Sequence, residues 1–306
     1  MSKWKIAFSV IGFFVVAVIA YAGYQFFEVK NTLSQITEDG VIDTPDKEID
    51  VEPFTLLLLG IDQSEGDKGR SDTIILLSIN PETQTTKMLS IPRDTRTEII
   101  GRNSIEKINH SYAYGGVKMT VDTVENFIGV EVDYYATVNM ESFSKIIDTV
   151  GGITVQNDLD MVVGNYTFNK GPVTLNGDDA LVFSRIRYED PRGDFGRQTR
   201  QRLIIEALMA KAKNPSILLN INEVLDIAGD SIKTNLTQSD IMQFPALYSK
   251  IGSSIDQLQF TKGEGAMIDG LWYYVMDDGE VAEISKSLND NLKGISTSPS
   301  LSGDMN

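Results

Sequence analysis

The chain has 306 residues, 42% of them hydrophobic and 23% charged, with 43 acidic and 27 basic side chains and a formal net charge of -16. That apolar content builds a substantial core in one large domain or two small ones and excludes a disordered chain, while the acidic balance argues against nonspecific nucleic-acid binding, for want of a diffuse positive field. The absence of cysteine leaves the fold to its core without disulfides, and a single histidine, His110, argues against a His-rich metal site or a Ser-His-Asp triad.

Lys3 and Lys5 precede an uncharged apolar run from Ile6 to Phe27, long enough as a helix to cross roughly 30 Å of hydrocarbon. A cleaved signal peptide would have a shorter apolar core and a small-residue cleavage site; here the run ends in "YQFFEVK", whose aromatics suit a membrane interface. The expected layout is a cytoplasmic N-terminus over 1–5, a transmembrane anchor over 6–27 and the remainder outside. Residues 28–52 are polar and acidic with little periodicity and read as a stalk; 53–293 read as the domain, and 294–306 as a Ser-rich disordered tail.

The domain opens on "FTLLLLGID", a continuous apolar run that predicts a strand buried on both faces. "DTIILLSINP" and "TTKMLSIP" predict two more strands, with a turn over Asn80 to Thr83. Helical spacing marks "SYAYGGVKMTVDTVENFIG", "MESFSKIIDTVGG" and "GRQTRQRLIIEALMAKAKN"; in the last, Leu203, Ile204, Ala207, Leu208 and Ala210 make an apolar stripe. "YTFNKGPVTLNGDDALVFSRIRY" predicts an extended pair followed by a turn and a short helix. Strands alternating with helices predict an α/β layered sheet with helices on both faces.

Asp62 falls at the end of the first buried strand and Asp72 at the start of the next. Ligands collect at strand ends in open α/β sheets, so two carboxylates delivered there could share one Mg²⁺, completed by water and phosphate; the alternative is that each caps a turn. Ten arginines occur in all, and six of them crowd into "RIRYEDPRGDFGRQTRQR", Arg185 to Arg202. Read as an extended run, Arg185 and Arg187 point to one side as a clamp. The chain then bends at Pro191 and Gly193 and enters a helix near Gly196, which brings Arg197, Arg200 and Gln201 onto one face beside free N–H groups. Guanidinium pairs match phosphate oxygens, so a ligand with a dianionic or larger phosphate is implied. The competing reading is a surface network with Glu189, Asp190 and Asp194. Arg93, after Pro92, reads either as a surface partner of Asp94 or as part of the anion site. His110 reads as a local hydrogen-bonding residue, Tyr134 and Tyr135 as packing, and Trp272 with Tyr273 as strand core with an exposed edge, or alternatively a sugar platform.

The stretches "LLLLGIDQSEGDKGRSDTIILLSINPETQTTKMLSIPRDT", "KINHSYAYGG", "TVENFIGVEVDYYATVNMESFSKIIDTVGGITV" and "LNGDDALVFSRIRYEDPRGDFGRQTRQR" resemble the successive motifs of the LytR-CpsA-Psr family, in order from Phe54 to Leu208. The region from Asn214 to Lys293 resembles the family's less distinctive C-terminal part. The resemblance implies a three-layer α/β/α sandwich around a central mixed sheet, with a hydrophobic pocket for a polyprenyl chain. It implies a phosphotransferase that moves an anionic glycopolymer, such as a teichoic acid or capsular polysaccharide, from undecaprenyl pyrophosphate to a muramic acid C6 hydroxyl of peptidoglycan. Carried over, Asp62 and Asp72 match the family's Mg²⁺ contacts, with Mn²⁺ as a substitute. Arg93, Arg185, Arg187, Arg197 and Gln201 match its pyrophosphate-binding set, and Asp194 an acidic residue considered for the reaction. The catalytic roles expected on this basis are a base at Asp194 or an orienting role for Arg187 and Arg197. Ser64 stands where the family often has arginine, which puts substrate details in doubt more than the reaction. Two other classes remain open: a noncatalytic membrane-anchored regulator that binds a phosphorylated lipid, and a polyprenyl pyrophosphate hydrolase.

Overall fold

The computed structural model describes residues 37–38, 40–62, 69–212, 232–237, 239–241, 243, 247 and 255–295. The expected anchor over 6–27 and Ser64 lie outside them, as does the tail from 296 onward. Among the described residues no helix is long and apolar enough to cross a membrane.

In chain order the first elements are β1 (Phe54–Asp62), β2 (Arg70–Asn80), β3 (Thr85–Ser90), β4 (Arg96–Ile99), β5 (Ser104–Lys107), α1 (His110–Ile128), β6 (Tyr134–Asn139) and α2 (Met140–Thr149). Then follow β7 (Ile153–Asn157), β8 (Met161–Val163), β9 (Tyr166–Phe168), β10 (Gly171–Leu175), α3 (Gly177–Arg185) and α4 (Asp194–Ala212). The chain closes with β11 (Ile232–Thr234), β12 (Ile255–Leu258), β13 (Glu264–Ile268), β14 (Leu271–Val275) and α5 (Asp278–Leu292).

The central sheet runs β11-β6-β1-β2-β3-β12. β1 lies parallel to β6 and antiparallel to β2, and β3 is antiparallel to β2 and parallel to β12, so the sheet is mixed, as expected. The apolar run of β1 divides by parity, because successive side chains leave opposite faces of a strand. Leu57, Leu59 and Ile61 join Val121 and Val124 of α1 and Ile284 and Leu288 of α5 in one core. Phe54, Leu56 and Leu58 join Ile75, Leu77 and Ile205 of α4 in the core on the opposite face. Tyr134 and Tyr135, adjacent on β6, split between the same two cores and are fully buried, as their packing role requires. Helices therefore cover both faces. A third core ties β7, β8 and β10 to Ile147 of α2, Phe183 of α3 and Ile204 of α4.

Residues 37–52, expected as part of a stalk, pack on the domain where described. Ile49 is fully buried in the second core, Val41 and Ile42 pack against the first, and Lys47 pairs with Asp133 at 2.7 Å. The polar composition concealed three aliphatic side chains with no periodic pattern. The stripe on α4 is also broader than expected: Leu203, Ile204, Ala207 and Leu208 face the third core and Ile205 the second, whereas Ala210 is exposed.

The arginine-rich segment is fastened by one buried charge. Arg200, 1% exposed, donates to the Phe183 and Ile186 carbonyls and to Asp190. Asp190 also accepts from Arg192 and packs against Gly196, where a Cβ would stand 1.9 Å from its Oδ2; only glycine lets α4 approach so closely. Burial opposes the charge of Asp190, but its bonds to Arg192 and Arg200 prevail and hold the carboxyl at about 2. Because that value is depressed, the stability it contributes is present above the unfolded value near about 4 and is lost as pH falls through about 2. Arg200→Met should lower the free energy of urea unfolding by about 3 kcal/mol at neutral pH, because it takes from a buried carboxylate one of its two cations and leaves it with Arg192 alone. The deficit should shrink as Asp190 becomes protonated near pH 2, and Arg185→Met, at an exposed site, should shift stability by less than about 0.5 kcal/mol.

Candidate functional site

A cavity of about 530 Å³ opens between the ends of β1 and β6 and the helices α2, α3 and α4. Its apolar walls come from Leu58, Ala136, Val138, Phe143, Ile146, Ile204 and Leu208. The rest of its lining includes Asp62, Asp72, Arg93, Arg185, Arg187, Arg197 and Gln201. Of the residues that the resemblance assigns to metal, pyrophosphate or catalysis, all line this cavity except Asp194, which stands behind Arg197 on the first turn of α4, its Oδ1 2.8 Å from Arg197 Nη2 and its Oδ2 accepting from Gln198 at 3.0 Å.

Asp72 owes its position to a bulge. Ile61 pairs with Ser71 and Gly60 with Thr73, so Asp72 has no partner across the ladder. An extra residue of this kind bends the strand and re-aims a side chain. Asp72 is not a turn cap: its Oδ2 takes Arg93 Nη1 and its Oδ1 takes Asn109 Nδ2 at 3.0 Å. Asn109, just ahead of α1, was missed in the sequence, where it was read only as part of "KINHSYAYGG". Its buried Oδ1 has no hydrogen-bond partner among the described residues. Asp62, at the end of β1, is half-exposed and 3.7 Å from Arg185 Nη2. Arg93 also reaches Asp94, 3.7 Å from its Nε, while lining the cavity. His110 is local, as expected, with Nδ1 3.0 Å from Glu106 Oε2.

The six crowded arginines divide into two sets. Arg192 and Arg200 take Asp190, one carboxylate of the competing reading, but around a buried acid rather than on the surface, and Arg202, also buried, bonds to Gln257 and Thr199 instead. Arg200 therefore leaves the common face assigned to it with Arg197 and Gln201. Arg185, Arg187 and Arg197 line the cavity. The expected extended run is absent at Arg185, which closes α3; Asn176, capping that helix through the Asp179 amide at 2.8 Å, and the acidic first turn started a helix that continues through Arg185. The two prongs are set instead by the helix end and by Ile186, which is buried between them.

Four arginines face two aspartates on the cavity lining. Burial opposes the charge of Arg93, but Asp72, Asp94 and Asp194 outweigh it and hold its guanidinium above the ordinary value. Arg197, 7% exposed, goes the other way: burial pulls it down in spite of Asp194, and Arg93 and Arg187 add repulsion. Its buried Nε has no hydrogen-bond acceptor among the described residues. A buried cation so placed is stabilised by an anionic ligand. The arrangement can therefore hold a phosphorylated amphiphile, with its charge on the arginines and its apolar part along the aliphatic walls.

The fold is thus a mixed α/β sheet whose strand ends carry an amphiphilic, arginine-lined cavity. The chain belongs to the LytR_cpsA_psr family, which it matches over residues 23–290. It is 44% identical to the polyisoprenyl-teichoic acid–peptidoglycan teichoic acid transferase TagU of Bacillus licheniformis, over 95% of this chain and 97% of that one. The crystal structure of B. subtilis TagU superposes with a TM-score of 0.66 at 45% identity, covering 79% of this chain and 97% of that one. The structure of TagT bound to LIIa-WTA superposes with a TM-score of 0.70 at 31% identity, covering 82% and 95%.

Inorganic pyrophosphate at a concentration well above its Kd should raise the melting temperature of the full chain in detergent. The rise should vanish in Arg197→Leu and persist in Arg192→Leu, which is destabilised but keeps the cavity; thermal-shift measurements on the three proteins check this.

Proposed function

We propose that this protein is a transferase that moves a teichoic acid from its undecaprenyl pyrophosphate carrier to the C6 hydroxyl of muramic acid in peptidoglycan, forming a phosphodiester. The observation that carries this reading is the union, in one cavity, of four arginines and two aspartates with long aliphatic walls. The name of the 44% identical relative supports the substrate class. The Ile6 to Phe27 run supports placement in the cell membrane, with the N-terminus cytoplasmic and the domain outside, where a tethered enzyme meets a bilayer-bound carrier at high effective concentration.

In this reading Arg93, Arg185, Arg187 and Arg197 bind the pyrophosphate, with Gln201 beside them, and the polyprenyl chain lies along Phe143, Ile146, Ile204 and Leu208. The muramic acid hydroxyl attacks the phosphorus that bears the polymer, the bond to the second phosphate breaks, and undecaprenyl phosphate leaves with the electron pair. Charge spread over the phosphoryl oxygens is what such a site stabilises, and positioned arginines do this without reorganisation. Asp194 stands behind Arg197, so it receives the hydroxyl proton by way of a water, while Arg187 and Arg197 orient the reacting phosphate. The donor set suits Mg²⁺, or Mn²⁺ in its place: Asp62 and Asp72 offer hard carboxylate oxygens on the cavity lining, and water and phosphate would complete the coordination. When bound there, the ion would neutralise pyrophosphate charge and favour departure of the lipid phosphate.

The test combines the full chain in detergent with a synthetic polyprenyl-pyrophosphate disaccharide, peptidoglycan oligomers and Mg²⁺, followed by mass spectrometry. A muramic-acid-linked phosphodiester should form, and Asp72→Ala and Arg187→Ala should each slow it by about 100-fold or more. Release of lipid phosphate without linked sugar would make the protein a hydrolase, and tight binding without turnover would make it a receptor.

A further inference from the structure

The β13–β14 hairpin lies beside the segment that carries Arg93. Its backbone is fastened there: the Tyr274 amide donates to the Asp94 carbonyl at 2.9 Å, next to Arg93, and Tyr274 bridges to Thr95. Tyr273 points to the side where Arg96 and Lys107 lie, each 6.0 Å from its ring centroid. The opposite side carries Trp272 and Tyr274, two residues apart and therefore on one face.

On that face the aromatic rings form a row. Trp272 lies 6.5 Å from Tyr274, and Tyr274 lies 5.4 Å from Phe195, centroid to centroid. Phe195 follows Asp194 in the chain and shares the first turn of α4 with Arg197. Tyr274, in the middle of the row, is 6% exposed, and Trp272, at its outer end, 39%. The indole is pressed on one side against Gly265, where an added Cβ would meet its ring atoms at 3.0–3.2 Å. Glycine there gives the ring a flat bed and leaves solvent to the indole's other side.

A flat indole with one free face suits the apolar C–H face of a pyranose ring, which meets the negative face of the π-system. The surroundings choose between the two polymers of the reaction. Asp269 sits in the turn of the same hairpin, and the whole chain carries -16, so an anionic polymer or lipid headgroup is disfavoured. Carboxylates accept hydroxyl hydrogens of a neutral sugar without such a penalty.

We propose that the exposed face of Trp272 is an acceptor subsite that stacks an uncharged amino sugar ring of the peptidoglycan strand, along the aromatic row that leads to Asp194 and Arg197. This inference rests on the transferase reading, in which the glycan strand is the acceptor.

The experiment uses the full chain in detergent carrying Trp4→Phe, which leaves Trp272 as its sole tryptophan, and, as the binding probe, a soluble oligomer of N-acetylglucosamine, whose rings carry no charge. The oligomer should shift Trp272 emission saturably. In the transfer assay, Trp272→Ala should raise the acceptor KM about fivefold with donor KM and kcat unchanged, and Trp272→Tyr should recover most of the loss. Linked product formed by Trp272→Ala at the unaltered acceptor KM, or oligomer binding by calorimetry with silent Trp272 emission, would overturn the subsite and leave the transferase reading standing. A saturable emission change without any linked product would support the subsite as a glycan contact and sink the transferase reading. Neither emission change nor product would overturn both.

Discussion

Positive charge held against apolar walls is the constraint around which the rest of this structure is arranged. A guanidinium group as buried as Arg197, with repulsive neighbours and an unpartnered Nε, is costly in the free protein, and its cost is relieved by an anion. The fold must therefore be rigid enough to prevent the segment from turning outward into water. That rigidity comes from a second set of arginines. Arg200 and Arg192 share Asp190, Arg200 also holds the last turn of α3 through the Phe183 carbonyl, and Gly196 lets α4 lie against the pair. Two adjacent ion systems, one satisfied internally and one left with surplus charge, account for five of the six arginines in these eighteen residues, and Arg202 bonds to Gln257 and Thr199 instead.

The sheet supplies the matching carboxylates by a different device. A regular ladder would place the side chain of Asp72 by pleat alone; the bulge opposite Gly60 and Ile61 frees it to meet Arg93 and Asn109. Asp62 needs no such help, because it is the last residue of β1 and already lies at the strand end. Parity along β1 then separates structural from functional burial. Its odd positions enter the core under α1 and α5, and Leu58 on the opposite face lines the cavity. One strand thus contributes to the core, the apolar wall and the charged cluster.

Much of this was legible in the sequence, and the gaps have identifiable causes. The three central strands, the long helices and the residues that line the cavity follow from apolar runs, helical spacing and the concentration of arginine. The division of the arginines did not, because spacing along a helix gives a face but not what that face meets; Arg197 and Arg200 differ by three residues, yet one lines the cavity and the other closes on Asp190. Asn109 was overlooked because a neutral amide in a polar turn carries no charge signal, and the strands β11 and β12 because short edge strands have too few residues to show a period. The packing of residues 40–52 was hidden by composition, since Ile49 alone carries most of the burial there.

The central claim is that one cavity recognises both charge and an apolar chain. Calorimetric titration of the full chain with a short polyprenyl pyrophosphate, and with its matching monophosphate and free alcohol, tests that claim most directly. The account predicts that the pyrophosphate binds tightest, that affinity falls with each phosphate removed, and that Arg197→Leu abolishes the difference between pyrophosphate and alcohol. Equal affinity for pyrophosphate and alcohol, or a pyrophosphate affinity untouched by Arg197→Leu, would contradict it.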